Sequence, residues 1–259
     1  MNGGKSNVFP FKEEALQLFG KERRNVVGMG QRQSQSISVK NPQAEDPPVP
    51  VTSALSPDFD PSTITKEDLD LTPISQQGKL AFLLHNVFTP EECKALIKIS
   101  EDTGYTPALV TVGGGKQVLM KGYRDGSRVM IDDHEFARLL LTRISQFLPE
   151  KFLGAHLVAI NERLRFLRYD RGDKFAPHCD GSFSRPDGSG TSTITLQIYL
   201  NEGFKGGETT FLHLGNGNRV PVVPKPGMIL VFEHNILHEG SKVKAGRKYT
   251  IRTDVLYTF

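Results

Sequence analysis

Beyond Glu150 the chain breaks into short apolar segments at regular spacing, and this pattern constrains its fold more than any other feature. They are 156–160 (HLVAI), 163–169 (RLRFLRY), 193–200 (TITLQIYL), 208–214 (ETTFLHL), 219–223 (RVPVV), 228–234 (MILVFEH) and 248–259 (KYTIRTDVLYTF), separated by Gly, Pro and Asn. Strands spaced in this way close into a sandwich or barrel of the jelly-roll kind, whereas a parallel fold would need helices between them.

Two helices are expected ahead of the strands. After an apolar strand at 80–88, Thr89-Pro90-Glu91-Glu92 reads as a helix start. Thr89 caps, Pro90 suits the first helical position and Glu92 completes a capping box. The helix at 91–102 puts Cys93, Leu96, Ile97 and Ile99 on roughly one face, and a second at 134–147 turns Leu139, Leu140, Leu141 and Ile144 inward. The chain is therefore α+β, mainly β, with a double-layered β core and supporting N-terminal helices.

Composition shifts near residue 76. Residues 1–76 hold 8 of the 16 prolines, and the polar stretch 31–60 has no sustained periodicity. Such a stretch cannot bury enough apolar surface to offset its ordering entropy, so 1–76 is expected to be disordered or loosely packed, and 77–259 to form the folded domain. A short amphipathic helix at 9–19 (FPFKEEALQLF) is the one exception, either transient or a docking element.

Charge and composition exclude several classes. The net charge is +3, from 32 basic and 29 acidic residues, which leaves no footprint for nucleic acid or an anionic membrane. Mean hydropathy is −0.32, and no apolar run approaches the roughly 18 residues a bilayer span needs. The first 30 residues lack the apolar core of a secretory leader. Two cysteines, Cys93 and Cys179, rule out a disulfide framework and suit a reducing compartment, so the expected location is cytoplasm or nucleus.

Within the β block stands His178-Cys179-Asp180. On a strand, residues i and i+2 share a face, so His178 and Asp180 can bind one ion. With 7 histidines and 29 acids in 259 residues, chance alone supplies about one such triplet, and a capped turn would explain it as well. The sequel is what raises it. Sixty residues on, His238 follows the apolar segment 228–234, and Lys248 lies ten residues further. Two histidines and a carboxylate form a facial triad that leaves three positions open on a non-haem Fe(II).

Three stretches carry a family resemblance: RYDRGDKFAPHCDG (168–181), TLQIYLNEGFKGGETTF (195–211) and PKPGMILVFEHNILHEGSKVKAGRKY (224–249). They resemble the Fe(II)/2-oxoglutarate oxygenases, and within them the prolyl 4-hydroxylase-like group, over about residues 80–259. The resemblance implies a double-stranded β-helix (jelly roll) with the metal between its sheets. It implies His178, Asp180 and His238 as iron ligands, Lys248 as the partner of the 2-oxoglutarate C5 carboxylate, and Tyr169 as a lining of the same pocket. Gly206-Gly207-Glu208-Thr209 matches a turn that is structural in the family. The implied reaction consumes O2 and 2-oxoglutarate, releases succinate and CO2, and hydroxylates an unactivated C–H bond, with ascorbate as a plausible reductant. The expected substrate is a peptidyl residue, proline first. The rivals are a small molecule or free amino acid and, from a different class, a non-catalytic jelly-roll binding module or a zinc hydrolase.

Other residues receive plainer readings. Arg247 adjoins Lys248, but strand alternation puts Lys248, Thr250 and Arg252 on one face and Arg247 on the other. Lys248 is favoured as anchor, with Arg252 a second cofactor-binding cation or a partner of Asp254. Arg163 and Arg165 share Tyr169's face, as salt-bridge partners before substrate contacts. His234 reads as a strand-end surface residue and His213 as facing solvent or the site mouth. His85, His134 and His156 read as structural or exposed, and Cys179 as a buried core thiol on the face opposite the ligands. The Gly-rich loops 113–126 and 181–192 are lid candidates. Two arginines six apart after the last ligand would mark a nucleic-acid demethylase; Arg247 and Arg252 are five apart, and Trp is absent.

Overall fold

The computed structural model describes residues 49–112 and 116–259. The expected helix at 9–19 and the stretch 31–48 lie outside these residues. Two antiparallel sheets face each other. The larger runs in the order Thr65–Asp68, Ala81–His85, Ile229–Glu233, Thr191–Tyr199, Lys248–Thr258, Arg163–Tyr169, Ser127–Asp132, Thr106–Pro107, and Ala155–Ile160 pairs with the far end of Lys248–Thr258. The smaller runs Phe175–His178, His238–Gly240, Thr209–Leu212, Arg219–Val222. This is the jelly-roll sandwich that the strand spacing predicts.

The central strands of the larger sheet are buried on both faces, which explains why Ala81–His85 and Ile229–Glu233 read as continuous apolar runs. One face carries Phe82, Leu84, Leu164, Phe166, Ile194, Leu196, Ile198, Ile251 and Val255 and packs with helix residues Leu96, Phe136, Leu140 and Ile144. The opposite face carries Leu83, Tyr199, Leu230 and Phe232 against Phe211, Val222 and Ile236 of the second layer. Each of these side chains contributes about 1.5–3 kcal/mol by leaving water. Along the central strand Lys248–Thr258 the alternation turns Lys248, Thr250, Arg252 and Asp254 to the inter-sheet side and Ile251 and Val255 to the helices. Apolar residues fill one part of the space between the sheets; these polar residues occupy the rest, and there the site forms.

Helix α1 spans Pro90–Thr103 with the expected capping box, in which Thr89 accepts from the Glu92 N–H and Glu92 accepts from the Thr89 N–H. Helix α2 spans His134–Ile144, capped by Asp133, and its last turn tightens to a 3-10 helix at Ser145–Phe147. The two are tied by a buried ion pair, Arg143 Nη2 to Glu92 Oε1 at 2.6 Å and Nη1 to Oε2 at 3.1 Å.

The expected boundary at residue 76 falls too late. Val51, Ile64, Leu71 and Ile74 are buried in the core, and Thr65–Asp68 pairs with Ala81–His85. The Ser56 N–H reaches Glu92 at 2.7 Å and the Thr52 N–H reaches Asp133 at 2.9 Å, so both helix caps anchor this segment. It escapes a periodicity reading because it consists of 3-10 turns and one four-residue strand, TKED, exposed throughout.

Candidate metal centre

His178 ends the edge strand of the smaller sheet, and its antiparallel partner in the register is His238. Directly opposed residues point to one face with Cβ atoms about 5 Å apart. Pairing thus joins two histidines sixty positions apart in the sequence, with ring centroids 4.3 Å apart. Asp180 lies just past the strand and is steered inward when its N–H donates to the His234 carbonyl at 2.9 Å. One donor atom from each of His178, Asp180 and His238 falls within 4.8 Å of the others. Asp180 Oδ1 is 3.8 Å from His178 Nε2, and Oδ2 is 3.8 Å from His238 Nε2.

Each imidazole is oriented through its other nitrogen. His178 Nδ1 lies 2.8 Å from the Ala176 carbonyl and His238 Nδ1 lies 2.9 Å from the Ile236 carbonyl. A carbonyl only accepts, so each Nδ1 carries the hydrogen and each Nε2 presents a lone pair to the centre. Burial first, and then the neighbouring His238, pulls His178 down to about 3; burial also lowers His238. Both rings are therefore neutral, the form that binds a metal. For Asp180 burial opposes ionisation, but Arg252 and then the Thr195 hydroxyl outweigh it and hold the carboxyl far below its usual range. Thr195 Oγ1 donates to Oδ2 at 2.6 Å, and Arg252 Nη2 stands 3.2 Å from Oδ1. Two imidazole nitrogens and an ionised carboxylate, with no thiolate, are a donor set that fits Fe(II) and leaves coordination positions open.

Lys248 is directly opposite Tyr169 in the sheet register and is buried. Its ammonium donates to the Gly207 carbonyl at 2.7 Å and lies 5.7 Å above the Tyr169 ring and 5.3 Å above the Tyr199 ring. Burial pulls it down to about 7, opposed only by Glu208. A buried ammonium with no carboxylate in contact among the described residues fits the far carboxylate of a dicarboxylic acid. The close approach depends on Gly207, whose φ is +73 and whose missing Cβ would stand 3.3 Å from Lys248 Cδ. Arg247 points outward to Asp170 at 2.5 Å, as the alternation argument requires.

Arg252 reaches the site but is not a free cation. Its Nη2 contacts both Asp180 and, at 3.0 Å, Asp254, whose other oxygen pairs with Arg165 at 3.1 Å. Arg163 pairs with Asp132 at 2.8 Å, and His85 with Glu67 at 2.9 Å. Two expectations are corrected. His234 is buried, not at the surface, with Nε2 3.5 Å from Asp254 of the central strand, two strands away in the same sheet. Cys179 is exposed rather than buried, at the end of the edge strand of the smaller sheet. The loop 181–192 is a hydrogen-bonded turn, with Phe183 and Ser192 paired through backbone and hydroxyl and Arg185 pinned to Glu162 at 2.5 Å.

Thr195 and Arg124 escaped the sequence reading. Thr195 opens the stretch TLQIYL and shares Arg252's face, a signal that alternation could have supplied. Arg124 sits in an irregular loop, with its guanidinium 4.6 Å over the Phe175 ring, and that ring stacks on His178 with centroids 3.6 Å apart.

Comparison with known proteins accords with this geometry. The family model of the 2OG-Fe(II) oxygenase superfamily matches residues 164–253, which contain all three candidate ligands and Lys248. By this match, over 90 of its 259 residues, the chain resembles this superfamily. Within it the resemblance is to prolyl 4-hydroxylases. The chain is 28% identical over 200 residues to probable prolyl 4-hydroxylase 8 of Arabidopsis thaliana, covering 66% of each chain, and 28% identical over 199 residues to prolyl 4-hydroxylase 5 of the same plant, again covering 66% of each. It thus spans just under two thirds of the length of these relatives. The fold is shared with a prolyl-4-hydroxylase of Pseudomonas putida (TM-score 0.51, 20% identity, 69% of this chain and 93% of that one). It is also shared with a Trichoplax adhaerens prolyl hydroxylase solved with a hypoxia inducible factor peptide fragment (TM-score 0.51, 14% identity, 69% and 84%).

Proposed function

We propose that this oxygenase uses Fe(II) and 2-oxoglutarate to hydroxylate an unactivated C–H bond of a peptidyl residue, proline first. The observation that carries the reading is the convergence of His178, Asp180 and His238 beside a buried Lys248 that has no carboxylate partner among the described residues. The relatives' names support proline, and the peptide held by the Trichoplax enzyme supports a polypeptide substrate.

His178 Nε2, His238 Nε2 and Asp180 would hold the iron, and Lys248 the C5 carboxylate of 2-oxoglutarate. When bound, this pair supplies the oxidising power, with O2 converting 2-oxoglutarate to succinate and CO2 and one oxygen atom passing to the substrate. The chain's own work is positional. Thr195 and Arg252 each engage one Asp180 oxygen and fix the plane of the carboxylate. The Ala176 and Ile236 carbonyls fix the imidazoles, and Tyr169, Tyr199 and Phe232 keep the surroundings dry, which strengthens each of these interactions. Ascorbate would restore the ferrous state after turnover without substrate. Cys93 and Cys179 are both free, which supports a reducing compartment, cytoplasm or nucleus.

The test is aerobic turnover of the full chain with Fe(II), ascorbate, 2-oxoglutarate and a library of proline-containing peptides. Succinate release that depends on a peptide, together with a gain of one oxygen atom on its proline, is expected. Succinate formation that no peptide stimulates would count against a peptidyl substrate.

A further inference from the structure

Two arginines beside the candidate metal centre have no carboxylate of their own among the described residues. Arg124 reaches the site through Phe175, over whose ring its guanidinium lies at 4.6 Å, and Arg128 shares a carbonyl partner with it. Arg165 and Arg252 share a single carboxylate, Asp254. Arg124 and Arg128 have none within 4 Å among the described residues, where the only other arginine so placed is the exposed Arg171. Both donate to one carbonyl, that of Leu109, at 2.9 Å and 3.4 Å, and Arg128 also reaches the neutral Gln117 Oε1 at 2.6 Å. Arg124 Nε is buried with no partner.

Resting on the dioxygenase reading, the cosubstrate does not compensate these arginines. Asp180 and one carboxylate of 2-oxoglutarate would balance a divalent iron, Lys248 would balance the other carboxylate, and Asp254 offsets one of Arg165 and Arg252. The other of that pair, with Arg124 and Arg128, stays uncompensated. Guanidinium groups drawn from water in this way are stabilised by a fork-shaped anion. Arg124 is also oriented, because its plane rests on Phe175, whose ring stacks on His178. An anion held there lies one aromatic contact from a candidate iron ligand.

We infer that the primary substrate carries a carboxylate next to the C–H bond to be oxidised, and that Arg124 and Arg128 bind it. That carboxylate comes either from an acidic side chain beside the target residue of a peptide or from the free α-carboxylate of a small amino-acid substrate.

The test is calorimetric binding to the full chain loaded with redox-inert Mn(II) and 2-oxoglutarate. The probes are blocked proline peptides flanked by glutamate, the same peptides flanked by glutamine, N-acetylproline and N-acetylprolinamide. At least one carboxylate probe is expected to bind tenfold or more tightly than its neutral counterpart, and the pair showing the preference identifies the source. In the Arg124→Gln/Arg128→Gln variant the preference falls to within twofold, while 2-oxoglutarate affinity is retained. Equal or undetectable binding by both members of each pair in the wild type would overturn the inference. So would a preference that survives the double variant, or loss of 2-oxoglutarate binding in it, which would put these arginines in the cosubstrate site. Failure of the wild type to bind Mn(II) and 2-oxoglutarate at all would instead sink the dioxygenase reading.

Discussion

Lys248 gives the site a pH dependence of defined sign. Its ammonium is buried against Gly207 and two tyrosine rings, and burial lowers it to about 7, against about 10.4 for an exposed lysine. Only the charged form attracts a carboxylate, and 2-oxoglutarate is already fully ionised near neutrality. Above pH 7 the ammonium must be regained before binding, so affinity falls towards tenfold per pH unit. Between about pH 7 and pH 9 the loss comes to about fiftyfold, close to 2.3 kcal/mol. Stability without cosubstrate moves the other way. Between the folded and unfolded pKa values the unfolded chain holds a proton that the folded chain lacks, so stability rises with pH, by up to about 1.4 kcal/mol per unit. Calorimetric titration of 2-oxoglutarate into the Mn(II)-loaded protein, in buffers of different ionisation enthalpy, measures both the affinity and the proton taken up. Lys248→Met should bind weakly with a flat pH profile and lose the stability slope. A wild-type affinity constant across this range would refute the reasoning, since it would mean that Lys248 is either already charged or not the anchor.

Two further perturbations follow. Thr195→Val deletes the 2.6 Å hydrogen bond to Asp180 Oδ2 at almost constant volume, and metal affinity read by calorimetry should fall about 10–100-fold while the fold persists. Arg143→Met leaves Glu92 buried without its ion-pair partner, and urea unfolding should show a loss of about 3–5 kcal/mol; a loss under about 1 kcal/mol would show that the caps, rather than the pair, hold α1 and α2 together.

Much of the site was legible because its information is local. The alternation that separates Lys248 and Arg252 from Arg247 needs only a strand, and the capping box at Thr89 needs only four residues. Sequence reading was weakest where a partner lies far away in the chain. Val51 and Ile74 are core residues because helix caps at Glu92 and Asp133 draw their segment in, and no pattern within residues 51–74 records that. His234 is buried against Asp254, twenty positions further on and two strands away in the sheet. Cys179 is exposed because it follows an edge strand, and alternation says nothing of where a strand sits in its sheet. Arg124 is functional-looking only in three dimensions, through Phe175 and the charges around it.

The central claim is tested most directly by anaerobic spectroscopy of the full chain. Fe(II) and then 2-oxoglutarate are added to metal-free protein, and the weak visible charge-transfer band of the iron chelate is followed in wild type, Asp180→Ala and Lys248→Ala. The account predicts a saturable band in wild type, none in Asp180→Ala, and a band that needs far more 2-oxoglutarate in Lys248→Ala. Folded wild-type protein that gives no band, or a band indifferent to both substitutions, would contradict it.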